Sequence, residues 1–354
     1  MKSLIRLLSI MTGMMIASSV YAQNFDAAIK SFTEVIKLNP SDSAYAGLGY
    51  AYVLKEDYEN AGPALDKAIE INPESALAFG LRGYVYLKTK QYEPAIHDLT
   101  KAIVLTPKGA KDYNENQGRY LVLRQEAYFY QGKYKLAIDD YTKIIEFNPD
   151  KALSYRNRGR IYFFDKNPAR AIADATKAIE LDPKDPESYI LRAGAYVALD
   201  NSSMAIQDFN KTIALDQKNP ENYNNRGGLY YMKNEFESAI KDFSKAIELA
   251  TGDNKEYYGN RGKAYVRSEK YDLAYKDLDK AIELDPKDDK SYYNRGRAYD
   301  LNKKYELAVK DYTRAIELNP KDAERYNYRG KVYQQLRKDK LAELDFQKAR
   351  ELEK

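Results

Sequence analysis

KDDKSYYNRGRAYDLNKKYELAVKDYTRAIELNP, residues 287–320, decides how the rest of the chain is read. Displaced along the sequence by 34 residues at a time, it keeps meeting copies of itself. The closing prolines mark the step: Pro40, Pro73, Pro107, Pro149, Pro183, Pro286 and Pro320, at spacings of 33, 34, 42, 34, 103 and 34. The 103 is three periods plus one residue, and the 42 is one period plus an insertion of eight. A fixed period of this size marks a solenoid, in which each unit leans on the next. Within the quoted stretch Tyr292, Gly296 and Tyr299 form one stripe, and Tyr305, Ala308, Tyr312, Ala315 and Leu318 a second. The spacings of three and four predict two amphipathic helices, the second stopped by Asn319-Pro320-Lys321-Asp322. Helices of about three or four turns are marginal alone, so each must bury its stripe against a neighbour.

Counted from the start of each first helix, repeat position 11 is Tyr in all nine pairs, from Tyr52 to Tyr333. Position 20 is Ala in all ten second helices, from Ala28 to Ala342, and position 8 is Gly except at Gln125 and Ala193. This pattern resembles the tetratricopeptide repeat over nearly all of Asn24–Lys354, as a lone second helix followed by nine helix pairs. It departs from the family signature in having no Trp and in carrying Arg at position 7 in place of Leu. The resemblance implies an all-α, right-handed superhelix of antiparallel helix pairs. Most of the 34 tyrosines fall at positions 4, 11, 17 and 24 and are read as packing residues.

Eight pairs carry Arg at position 7 and Asp at position 23: Arg82/Asp98, Arg124/Asp140, Arg158/Asp174, Arg192/Asp208, Arg226/Asp242, Arg261/Asp277, Arg295/Asp311 and Arg329/Asp345. Every separation is 16 residues. In an antiparallel hairpin turning near position 15, positions 7 and 23 stand at one level. Pairing each Asp with the following Arg instead would leave Arg82 and Asp345 without partners. The eight are therefore read as structural ion pairs, a guanidinium gripping a carboxylate with two parallel hydrogen bonds.

Met1–Ala22 carries Lys2 and Arg6, then the apolar run Leu7–Ala17, and ends Val20-Tyr21-Ala22. It is read as a signal peptide cut after Ala22, which places the chain in a bacterial periplasm or outside the cell. The alternatives are a first helix completing the opening repeat, or a retained anchor. Residues 23–40 are expected as the lone helix, with Phe25, Ala28, Phe32 and Val35 on its stripe, and residues 42–354 as the nine pairs. Gly62-Pro63 predicts a late start for the second helix of pair 1, because an interior proline disrupts the helix ladder. The insertion, residues 108–119 (KGAKDYNENQGR), is read as a solvated loop or an extended first turn, with a flap as the functional alternative.

The formal charge is +4, of which Lys2 and Arg6 supply two. Acids and bases interleave thereafter, without the concentrated basic stripe of a nucleic-acid binder. Cysteine is absent and His97 is the one histidine, which leaves no acid–base constellation or transition-metal site. No cofactor and no enzyme activity are expected.

In the resembled family the first helices line the concave face, chiefly through positions 2, 5, 6, 9, 12 and 13. Carried over, these give Tyr50, Val53, Tyr84, Leu87, Phe129 and Tyr130 early, then Arg156, Asn157, Arg160, Phe163 and Phe164. Later pairs offer Asn224, Tyr231, Asn260, Lys263, Arg267, Asn294, Arg297 and Lys331. An apolar stretch running into Asn, Arg and Lys suits an extended peptide or a partner helix. Asn157, Asn225, Asn260 and Asn294 sit where some family members clamp a terminal carboxylate, but no Arg occupies position 6 of a following pair, so the full clamp is not matched. The expected function is a protein-binding scaffold of the cell envelope. Its alternatives are a self-assembling structural element and an envelope glycan binder.

Overall fold

The computed structural model describes residues 18–108 and 113–353, with side chains from Phe25 onward. A helix at Ser18–Leu38 precedes nine antiparallel pairs. Pairs 1 to 4 are Asp42–Leu54 with Tyr58–Ile71, Ala76–Lys88 with Tyr92–Leu105, Tyr113–Tyr130 with Tyr134–Phe147, and Ala152–Phe164 with Pro168–Leu181. Pairs 5 to 9 are Pro186–Val197 with Ser202–Leu215, Pro220–Met232 with Phe236–Leu249, Lys255–Arg267 with Tyr271–Leu284, Asp289–Leu301 with Tyr305–Leu318, and Ala323–Gln335 with Asp339–Leu352. No strand occurs among the described residues. The chain forms two compact units, one ending at Asp182 and the other beginning at Pro183.

The same turn closes all nine pairs. Position 15 takes a left-handed backbone, with φ of 56–60° at Glu56, Lys90, Lys166, Asp200, Asn234, Glu269, Lys303 and Arg337, and 70° at Gly132. This lets the next N–H reach back to the carbonyl of the position-11 tyrosine, as in Lys304 to Tyr299 at 2.8 Å and Lys270 to Tyr265 at 2.9 Å. That bond satisfies a carbonyl the helix end would otherwise strand. Each pair then packs through small residues. The position-20 alanines from Ala61 to Ala308 are wholly buried, and Ala342 is nearly so. Gly49, Gly83, Gly262 and Gly296 lie where a Cβ would press into Leu65, Leu99, Leu278 and Tyr312.

The second helix of pair 1 does not start late. It begins at Tyr58, where the Asp57 side chain accepts from the Asn60 N–H and the Ala61 N–H bonds the Asp57 carbonyl at 3.0 Å. Pro63 lies inside the helix. It forfeits one ladder bond near the N-terminus, while the cap and the full burial of Ala61 and Leu65 hold the turn in place. Of the proposed signal segment, residues 1–17 lie outside the described residues, and Ser18–Ala22 belong to the helix ending at Leu38. On that helix Val35 is half exposed, so its stripe is covered less fully than those of the pairs. In the insertion, residues 109–112 are outside the described residues, while Tyr113–Arg119 forms the first turns of the pair 3 helix. Gln117 is buried there and donates to the Ile103 carbonyl at 2.6 Å. No described helix is long and apolar enough to cross a membrane.

Candidate functional site

The position-7 arginines and position-23 aspartates form eight two-pronged ion pairs. In Arg295–Asp311 the Nε and Nη2 donate to the two carboxylate oxygens at 2.7 and 2.8 Å. In Arg158–Asp174 both bonds are 2.8 Å. Arg82–Asp98, Arg124–Asp140, Arg192–Asp208, Arg226–Asp242, Arg261–Asp277 and Arg329–Asp345 repeat the arrangement. The eight carboxylates are all buried, from 1 % exposed at Asp98 to 6 % at Asp345. Aromatic rings at positions 4 and 11 flank the guanidinium: Arg158 lies 5.8 and 5.9 Å from the centroids of Tyr155 and Tyr162. Hydrogen bonding to the aspartate holds the guanidinium pKa of Arg158, Arg226 and Arg261 above its ordinary value, against the opposing pull of burial.

The third arm, Nη1, reaches the preceding pair. It donates to position 25 there: Arg82 to Asp66 at 2.7 Å, Arg124 to Thr100 at 3.0 Å, Arg158 to Thr142 at 3.1 Å, Arg226 to Asn210 at 2.7 Å and Arg295 to Asp279 at 2.6 Å. Arg261 to Ser244 and Arg329 to Thr313 follow suit. One side chain thus ties two helices of its own pair to a third. This bond between pairs was not read from the sequence. Its signal was present in the polar residues that recur at position 25.

The first-helix face sorts the expected partner-binding residues. Leu87 does not line it: at 4 % exposed it packs with Ala95, Leu99 and Ala127 in the core. Tyr50 and Val53 are likewise buried, against Leu65 and Leu81. Asn224 is also withdrawn, 6 % exposed and accepting a hydrogen bond from Asn260 at 3.0 Å. Tyr84 is half-buried against the pair 1 and 2 core, with Lys88 over its ring. Asn157 hydrogen-bonds the hydroxyl of buried Tyr141. Arg156 is half-buried, and Arg160 is exposed.

What the first unit does present is a run of rings. Tyr92 stacks on Tyr130 at 5.4 Å, Tyr130 meets Phe129 at 5.9 Å, Phe129 meets Phe164 at 5.1 Å, and Phe164 meets Phe163 at 6.3 Å. Tyr130, Phe163 and Phe164 are 58, 36 and 49 % exposed. Three large apolar side chains thus stand in solvent side by side across pairs 3 and 4. In the second unit, Lys263 and Arg267 lie over Tyr231 and Arg297 over Tyr328, while Asn294 is half-buried.

Tetratricopeptide-repeat models match residues 18–76, 76–108, 126–163, 152–185, 186–219, 220–253, 262–303 and 289–322. The chain is a tetratricopeptide-repeat protein. No curated protein matches it. Among solved structures it is similar to the C-terminal part of a tetratricopeptide-repeat protein from Cytophaga hutchinsonii, at 22 % identity and a TM-score of 0.56, covering 70 % of this chain and 97 % of that one. A tetratricopeptide-repeat protein from Parabacteroides merdae gives 20 % identity and a TM-score of 0.50, covering 76 and 99 %. YrrB, described as a repeat protein with an unusual peptide-binding site, shares 25 % identity at a TM-score of 0.45, covering 51 and 92 %. The likenesses to the Cytophaga and Parabacteroides proteins establish the all-α repeat fold, and the repeats support a protein–protein interaction scaffold.

Proposed function

We propose that the chain is a non-enzymatic, exported adaptor whose first helices hold an extended peptide or partner helix, anchored on the rings of pairs 3 and 4. The observation that carries this is the contiguous exposure of Tyr130, Phe163 and Phe164 beside half-buried Phe129. Isolated exposed apolar residues are ordinary, but a grouped set flanked by polar groups marks a contact surface. Aromatic anchors carry a large share of binding energy at such surfaces. Export rests on Lys2, Arg6 and the apolar run Leu7–Ala17. N-terminal sequencing of protein made in its own cell should then begin at Gln23.

The test is selection from a displayed peptide library, followed by affinity measurements on purified protein. Peptides enriched by the wild type should lose at least about 2 kcal/mol, roughly 30-fold, against Phe163→Ser/Phe164→Ser. Enriched peptides that bind this variant equally well, or no enrichment at all, overturn the reading.

A further inference from the structure

In the second unit several lysines meet carboxylates: Lys270 with Glu237 at 2.7 Å, Lys245 with Glu248 at 2.6 Å, Lys280 with Asp253 at 3.1 Å, and Lys255 with Asp285. Others, Lys241, Lys276 and Lys310 among them, stand exposed on second helices. Position 9 of pairs 7, 8 and 9 forms a separate row. It holds Lys263, Arg297 and Lys331, and among the described residues none of the three has a carboxylate within salt-bridge distance. Each lies instead over a tyrosine face. Lys263 is 4.6 Å from the Tyr231 centroid, while Arg297 and Lys331 are 4.5 and 5.1 Å from that of Tyr328.

A cation over a ring is oriented by the ring's negative face yet keeps its remaining hydrogen-bond donors free. Arg297 gives one donor to the Tyr293 hydroxyl at 3.5 Å, and the three cations at one register otherwise make a row of positioned donors without carboxylate partners. They also crowd one another. The Lys263 ammonium is held below its ordinary pKa, first by burial against the wall and then by Arg267, Lys290 and Arg297, with Glu324 opposing. Asp300, on the same helix as Arg297, lies within electrostatic reach of the other two. Burial pushes its carboxyl up, while Arg297 and Lys331 pull it down. The row thus has an excess of positive charge that a bound anion would relieve.

We infer that position 9 of pairs 7–9 receives the carboxylate side chains of an acidic, extended segment of a partner protein. The inference rests on the reading of the first helices as a binding wall and adds the chemistry of the partner. Single-stranded nucleic acid is the competing polyanion, and the rings decide against it. Binding without sequence preference uses aromatic faces on which bases stack, and here the faces of Tyr231 and Tyr328 are already covered by the protein's own cations. A carboxylate needs only the outward-facing donors.

The probe is a fluorescein-labelled glutamate oligomer about twelve residues long, enough extended chain (~40 Å) to pass three pairs. Its binding to the full chain is measured by anisotropy, beside a glutamine oligomer and a thymidine oligonucleotide of equal length. The glutamate oligomer should bind more tightly than either, and added salt should weaken it. Lys263→Gln/Arg297→Gln/Lys331→Gln should lower its affinity about tenfold or more. Lys241→Gln/Lys276→Gln/Lys310→Gln removes the same charge from exposed sites on second helices and should change it less than about twofold. The charge-keeping Lys263→Arg/Arg297→Lys/Lys331→Arg should still bind, which separates loss of charge from loss of fold. Equal weakening by the two glutamine triples, or tighter binding of the oligonucleotide, overturns the inference. Either outcome leaves the ring run of pairs 3 and 4 untouched, because that surface is tested by Phe163→Ser/Phe164→Ser.

Discussion

Arg295→Leu, compared with Arg295→Leu/Asp311→Leu, isolates what the buried ion pairs contribute. Arg295 gives two hydrogen bonds to Asp311, which is 4 % exposed, and a third to Asp279, which is largely solvated. Removing the arginine leaves the Asp311 carboxylate buried without its counter-charge, and this should cost about 3–5 kcal/mol. The Asp279 contact adds little, since an exposed partner is already hydrated and screened. Taking Asp311 away as well removes the stranded charge, so the double variant should return to within about 2 kcal/mol of wild type. A repeat array need not unfold in one step. The readout is therefore twofold: a urea midpoint by circular dichroism, and amide hydrogen exchange across Asp289–Leu318. The single variant should lose exchange protection over both helices of pair 8 and at the edge of pair 7, which the third arm holds. Equal losses in the single and double variants would show that the pair does not act as a unit and would refute the reasoning.

Two further substitutions separate backbone from packing. Gly49→Ala presses a Cβ into Leu65, itself wholly buried, and should destabilise by about 1–2 kcal/mol despite the better helix propensity of alanine. Gly62→Ala meets open space and should stabilise by about 0.5–1 kcal/mol in the same urea assay. Burial pushes the Tyr141 hydroxyl up to about 12, with Asn157 and the nearby Arg160 opposing. A raised folded pKa means stability that is complete below pH ~10 and lost as pH rises through about 12, amounting to about 3 kcal/mol. Tyr141→Phe should accordingly flatten the alkaline stability curve between those limits, and an unchanged curve would rule this out.

The repeat was legible because everything that makes it is local and periodic. Position 20 alanines, position 11 tyrosines and the 16-residue Arg–Asp spacing can all be read within one unit, since a hairpin's two strands of contact are set by its turn. The turn itself was visible only as a location. Eight of its nine left-handed residues are not glycine, so the usual glycine signal appears at Gly132 alone. What a single unit cannot show is how much the neighbouring pair covers. Leu87 and Phe129 share position 12, yet Leu87 is sealed by Ala95 and Ala127 while Phe129 joins a surface run of rings. Asn224 was misread for the same reason, because the partner that covers it, Asn260, belongs to the next pair.

Once the ladder is set aside, the informative residues shrink to a few positions. Arginine at 7 and aspartate at 23 are occupied with each other, and 8, 11 and 20 are occupied with packing. Position 9 packs on the core at Tyr50 and Tyr84, but it varies more than any of these along the chain: Tyr50, Tyr84, Glu126, Arg160, Gly194, Gly228, Lys263, Arg297 and Lys331. A repeat drifting without function would be expected to vary there without order. Instead the last three are all cations, each seated on a tyrosine and, among the described residues, none with a carboxylate within salt-bridge distance. Holding like charges together costs free energy, because each raises the energy of the others' charged forms. The Lys263 ammonium is held below its ordinary pKa first by burial, and Arg267, Lys290 and Arg297 add to that. A fold that needed only solubility could have interleaved acids at position 9, as it does along its second helices. The unbalanced row is better understood as one half of a charge pairing whose other half belongs to a different molecule.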